Sequence, residues 1–361
     1  MSASDHNSKA SERLKQNPTP PSGAPGRPNL RQLALVALLA VGAYLLLLPQ
    51  LAGVGDAVRV LDKLSPPYIA AALALQAIST ISQAHVVQQT LRIFETSVRF
   101  VTLLEISLAS GFATLFVPSV GLSGLALRCW YLSERGCPLD TTTIAFTIEA
   151  VGQAAAHAAM VAIAFIHRVA QGRQPPWASL ALVLLVLLLC MASLGMVLAN
   201  PAKRNWRFRL LHAANRLRRR RGEPTIADAA LEHRLTELQS SVANVSAGVS
   251  VQLVLSSVAR NLATALALYV TLVALDQRVP LSSAVLSYSF ADVLGGLSSL
   301  PAGLLVTETS LSALLNRAGV PLSAAVATTL VFRLITVWLP RTIGLFAWID
   351  LQRRSKRPLW S

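Results

Sequence analysis

Glu149, Gln153 and His157 follow one another at intervals of four residues, so a helix through them carries a carboxylate, an amide and an imidazole on one face. The run that holds them, Thr141 to Ile166, has no other charged residue. Ionisable side chains inside an apolar span cost a few kcal/mol or more unless they find partners, and they default to sites of function or of pairing. Here the stripe could recognise a polar headgroup, couple a proton, or tie helices together.

Few other charges share such surroundings. Arg128 sits in the short stretch after Pro118 and Glu308 in the short stretch after Pro301. Arginine there suits bidentate contact with a phosphate. Arg333 lies in the last apolar run, Arg260 beside Asn261 in an earlier one, and Asp292 in the run between. Arg260 and Asp292 could be a buried pair or part of the same polar lining. Candidate substrate-binding residues are therefore Arg128, Glu149, Gln153, His157, Glu308 and Arg333.

Other chemistry has no footing in the residues. His85, Gln88 and Glu105 fall near the ends of apolar runs, where they can reach the interface. No His–Glu spacing of a metalloprotease, phosphate-binding glycine loop, nucleophile elbow or dinucleotide fingerprint occurs. Cys129, Cys137 and Cys190 lack CxxC spacing and read as inert packing residues. The expectation is no catalytic residue, no metal and no cofactor.

These side chains need elements to carry them, and composition says which. Of 361 residues 53% are hydrophobic and only 14% charged, against about a quarter charged in a soluble domain. The apolar residues are gathered into runs matching the roughly 20 residues that cross about 30 Å of hydrocarbon. Candidate spans are Leu33 to Leu48, Tyr68 to Val87, Val101 to Val117, Thr141 to Ile166, Trp177 to Leu198, Ala247 to Leu275, Ser282 to Leu300 and Pro321 to Trp348. Gly121 to Arg135 and Gly303 to Arg317 each follow a proline and are too short and polar for ordinary spans. The fold class is all-α: a polytopic helical membrane protein with about eight transmembrane helices and two short broken or re-entrant helices.

Polar stretches set the boundaries. Residues 1–31, with Ser, Pro and Asn and five basic side chains, read as a disordered cytoplasmic tail. A single transmembrane domain covers 32–350, interrupted at 201–234 by an Arg-rich loop, and 351–361 form a basic tail. The net charge of +15 is first a topology signal, since Lys and Arg gather in cytoplasmic loops. Without interleaved aromatic side chains the basic runs do not suggest nucleic acid. Beside a bilayer they can also attract anionic lipid, at roughly 1 kcal/mol per basic side chain.

The chain resembles itself at an offset of 183. Pro118, Gly136, Pro138 and Leu139 correspond to Pro301, Gly319, Pro321 and Leu322. Repeat 1, about 101–167, and repeat 2, about 282–349, thus share an apolar span, a proline, a short helix, a Gly-x-Pro-Leu turn and a long span. If both tails and the Arg-rich loop are cytoplasmic, each short helix must return the chain across the bilayer, and the copies are inverted. Inverted repeats with broken helices mark many transporters, whose irregular backbone lines a cavity near mid-membrane. The alternative is duplicated hairpins that merely pack. The offset places Phe332 opposite Glu149, so an ion pair of Glu149 with the adjacent Arg333 across the interface is expected.

Pro118, Gly121, Gly124 and Arg128, followed by Pro301, Gly303, Glu308, Gly319 and Arg333, resemble the pattern of the lysylphosphatidylglycerol synthase transmembrane region, a flippase-like membrane family, over about residues 33 to 350. The resemblance implies handling of lipid or polyprenyl-linked intermediates in a bacterial membrane. It departs from the family where Ala150 follows Glu149 and where Leu304 and Leu305 stand in the second turn. No soluble aminoacyl-transferring domain is expected from these residues, so the resemblance does not imply that activity.

The leading expectation is a transporter or flippase-like protein of the bacterial inner membrane, not an enzyme, with both termini cytoplasmic. Its partners would be membrane lipids with anionic or polyprenyl-phosphate headgroups, and no nucleic acid. The alternatives are an intramembrane transferase using Glu149 with His157 on a lipid headgroup, and a non-catalytic assembly subunit.

Overall fold

The structure, a computed structural model, describes residues 64–94, 96–115, 122–137, 139–172, 247–298 and 300–355. Residues 1–31, the spans at 33–48 and 177–198, the Arg-rich stretch 201–234, and Pro118 and Gly121 of the first break lie outside them. The regular secondary structure of the described residues is all helical, without a strand.

The first half supplies α1 (Pro66–Arg92), α2 (Phe100–Ala113), α3 (Leu122–Ser133) and α4 (Leu139–Ala170). Pro66 and Pro67 open α1, where a missing N–H costs nothing, and Arg92 closes it against the carbonyl end of the helix. The second half supplies α5 (Ala247–Ala274), α6 (Leu281–Leu297), α7 (Val306–Arg317), α8 (Leu322–Arg333) and α9 (Leu339–Arg354). A 3-10 turn, Pro301–Gly303, links α6 to α7, and a π turn, Leu334–Trp338, fuses α8 to α9 into a continuous helix from Leu322 to Arg354. Residues 351–354, expected in a basic tail, are the last turn of α9.

Among the described residues four helices are long and apolar enough to cross a bilayer: Pro66–Arg92, Ile148–Ala170, Val251–Ala274 and Leu322–Arg354. α2 and α6 are apolar but shorter. At 12 residues each, α3 and α7 reach about 18 Å, well short of about 30 Å of hydrocarbon. Helix ends recur along the chain: α2, α3 and α4 are matched by α6, α7 and α8 at a spacing of 183 to 184 residues (113 and 297, 122 and 306, 133 and 317, 139 and 322).

Packing is that of a protein immersed in lipid. Large apolar side chains face outward in stripes: Ile163 and Ile166 on α4, Val251, Val254, Leu255 and Val258 on α5, Ile343 and Phe346 on α9. Glu149, His157, Glu308 and Arg333 are buried. Two cores organise the interior. One gathers Leu268 and Leu272 of α5 with Leu311, Leu315 and Phe332. The other gathers Val87, Leu91, Leu103, Tyr131 and Leu132 with Leu351 from the end of α9. α9 therefore leaves its own half and lies along α2, where Gly344 meets the Leu108 carbonyl so closely that a methyl group would collide with the backbone.

Candidate functional site

Between the two cores lies a cavity of about 890 Å³. Its wall draws Ser79 from α1, Ser110 from α2, Arg128 from α3, Glu149 and Gln153 from α4, Arg260 and Asn261 from α5, Tyr288 and Asp292 from α6, and Arg333 and Arg341 from the α8–α9 helix. Every long helix contributes, so the cavity exists only once the fold is assembled.

In the first half, the short helix carries the cation. Arg128 Nη1 donates to both oxygens of Glu149, at 3.2 and 3.3 Å, and Nε donates to Ser110 Oγ at 2.8 Å. The Ser110 hydroxyl in turn donates to the Ser107 carbonyl. Below the guanidinium lies the ring of Phe146, with its centroid 5.2 Å away, adding a cation–π contact. Gly124 lets α3 approach α2, since a Cβ there would meet the Ser110 carbonyl at 3.0 Å.

In the second half the polarity is exchanged. Glu308 on the short helix accepts from Arg333 Nε on the long helix at 2.6 Å. Arg333 Nη2 also donates to the Ala302 carbonyl at 3.1 Å. That carbonyl belongs to a strained turn: Ala302 and Leu305 have φ of 54° and 69°, and Gly303 has 66°. Such conformations cost about 1–3 kcal/mol at a residue with a side chain and persist only where the surroundings impose them. The arginine is one such restraint. Another is packing, since a Cβ on Gly303 would lie 2.9 Å from the Gly295 backbone.

The expected Glu149–Arg333 pair is thus replaced by two pairs, each closed within its own half. Sequence offset relates backbone positions. Side-chain reach decides partners, and each long helix finds the short helix of its own unit first. The side chains are 14% and 8% exposed in the first pair, 8% and 1% in the second.

Gln153 lines the cavity one turn beyond Glu149, and its backbone carbonyl accepts from Asn261 Nδ2 at 3.1 Å. Among the described residues its side-chain amide has no hydrogen-bond partner, nor has His157 Nε2. His157 stays on the same helix face but outside the cavity, with its ring 5.8 Å from that of Tyr288. Arg260 and Asp292 line the same cavity without forming an ion pair, and Asp292 is exposed to it. Pro301 and Gly303 line it too.

Sequence reasoning missed Arg341. An uninterrupted helix would set it about 80° round from Arg333. The π turn between them takes up about one extra residue, ~100° of rotation, and brings the two to within roughly 20° of one face. The available signal was a second arginine beside Pro340 in the same apolar run.

Among the described residues no group of His, Cys, Asp and Glu could hold a metal ion. Cys129 and Cys137 are buried free thiols. Cys137 lies in the turn after α3, where burial pushes its thiol above the usual range, so it resists ionising to the reactive thiolate.

A family model described as lysylphosphatidylglycerol synthase TM region matches residues 33–344. No curated protein matches the chain significantly.

Proposed function

The chain belongs to the lysylphosphatidylglycerol synthase transmembrane-region family, and from that premise we propose that it moves an amphipathic lipid with an anionic headgroup between the leaflets of a bacterial inner membrane. The observation that carries this reading is the cavity of about 890 Å³, lined by Arg128, Arg260, Arg333 and Arg341, inside a molecule whose outer face is apolar. A headgroup needs shelter from hydrocarbon and counter-charges in place; acyl or prenyl chains need only the bilayer.

The matched helix ends support reading 101–167 and 282–349 as two copies of one unit. In our proposal the copies are inverted, both termini and the Arg-rich loop are cytoplasmic, and rocking of one copy against the other alternates access to the cavity. The two salt bridges suit that motion, because each lies within a copy and survives the rocking intact.

The transferase reading needs Glu149 and His157 at one reacting centre. Glu149 is engaged by Arg128 and His157 lies outside the cavity, which favours transport over chemistry. The test is a reconstituted vesicle assay with fluorescent lipids and an impermeant quencher. We expect protein-dependent movement of anionic phospholipid or polyprenyl phosphate, abolished in Arg128→Gln. Vesicles that exchange none of these lipids faster than protein-free controls would overturn the proposal.

A further inference from the structure

Arg128 and Arg333 each have a carboxylate of their own, Glu149 and Glu308. Arg260 shares the cavity wall with Asp292. Arg341 lines the same cavity with no ion pair among the described residues, and it makes one hydrogen bond, Nε to the Gly111 carbonyl at 3.2 Å. Counting these groups together with Glu308, which is buried against Arg333 and does not itself line the cavity, four cations meet three anions among the described residues. The described part of the site carries a single positive charge in excess.

We propose that Arg341 anchors a singly charged oxyanion, of the phosphodiester kind, and that the cavity is built for one negative charge rather than for a diphosphate. This rests on the lipid-transport reading above and names the headgroup chemistry for it.

Three features of the geometry converge on Arg341. Its Nε is held by Gly111, which fixes the plane of the guanidinium, while both terminal nitrogens make no bond among the described residues and form a fork matching two oxygens of a phosphate. The π turn places it beside Arg333 on the cavity face of one helix. Gly344, one turn on, seats α9 against Leu108 of α2, so the arginine is delivered to the boundary between the halves by backbone contact rather than by a flexible loop. A diphosphate would bring about two further negative charges with no cation among the described residues left to meet them, whereas a diester brings one.

The experiment uses the full-length protein in detergent, with calorimetric titration of three probes: dihexanoyl phosphatidylglycerol, inorganic phosphate and inorganic diphosphate. Wild type is expected to bind the diester most tightly. Arg341→Gln should weaken it about 10- to 100-fold, the loss expected for charge-assisted hydrogen bonds, and Arg341→Lys by less, since the charge remains and the fork is lost. Arg317→Gln, on an exposed helix end, should change nothing. Unfolding temperatures measured alongside should not fall in Arg341→Gln, because the residue it removes has no carboxylate partner to strand. Should that variant fail to fold, Arg341→Lys carries the test.

Affinity within twofold of wild type in the folded Arg341 variant overturns the anchor. Diphosphate binding tighter than the diester overturns the single-charge assignment. Inorganic phosphate binding as tightly as the diester overturns the lipid origin of the anion. If wild type binds none of the three, the transport reading itself fails, an outcome distinct from diester binding that ignores residue 341.

Discussion

Arg333 bonds a carboxylate and the carbonyl of a left-handed alanine at once, so its removal should both strand Glu308 and free the turn that α7 starts from. Breaking a buried pair by deleting one partner costs about 3–5 kcal/mol, far more than the intact pair contributes, because the survivor stays charged and unsolvated. Glu308→Ala and Arg333→Ala are expected to lose that much in thermal or denaturant unfolding, whereas Glu149→Ala, which leaves Arg128 with Ser110, Phe146 and more exposure to the cavity, should lose less. Equal losses at the two sites would argue that burial does not set their strength. At this scale the sequence yielded all four residues of the two cavity bridges and neither pairing. Under the 183 offset Arg128 falls on Leu311 and Glu149 on Phe332, so comparison of like with like is blind to a bridge that recurs with its charges exchanged.

The elements were easier to read, because the feature that defines them, an apolar run bounded by Pro, Gly or charge, is the feature lipid selects. The span expected at Ala247 to Leu275 is observed at Ala247–Ala274, and the stretch expected at Gly303 to Arg317 becomes a turn followed by Val306–Arg317. What sequence could not supply was how the breaks are made. Pro340 signals an interruption, yet not that the helix widens ahead of it, with Leu339 N–H bonding back five residues to Leu334. Nor does it distinguish neighbouring glycines. A Cβ on Gly295 would collide with Thr307, whereas one on Gly296 meets nothing within 4 Å. Gly295→Ala should therefore destabilise by about 1–3 kcal/mol through overpacking and slow lipid movement, while Gly296→Ala should be silent in both. A silent Gly295→Ala would mean that the second break is looser than its contacts indicate. The same logic applies at Gly344, where added bulk would pry α9 from α2 and carry Arg341 with it.

At the scale of the whole molecule, composition announces a membrane protein, but its sidedness depends on charges that the described residues only partly include. The inverted arrangement makes a prediction at matched sites. Ser133 ends α3 and Asn316 sits at the end of α7, both exposed and 183 residues apart. If both termini are cytoplasmic and each short helix returns the chain across the bilayer, Ser133 faces the cytoplasm and Asn316 the opposite side. With Cys129, Cys137 and Cys190 replaced, Ser133→Cys should react with an impermeant maleimide only after the cells are permeabilised, and Asn316→Cys should react in intact cells. Labelling of both from one side would make the copies parallel, and rocking about a shared mid-membrane site would lose its geometric basis. The exchanged polarity of the two bridges gives that test added reach. In inverted copies, a cation on one short helix and an anion on the other present opposite charges toward opposite leaflets, so the site is electrically polarised across the bilayer even though each bridge is neutral. Transport of an anion through it should then respond to membrane potential, and reversing the charges of the first bridge alone, Arg128→Glu with Glu149→Arg, which leaves the Arg333–Ala302 contact in place, should alter that response.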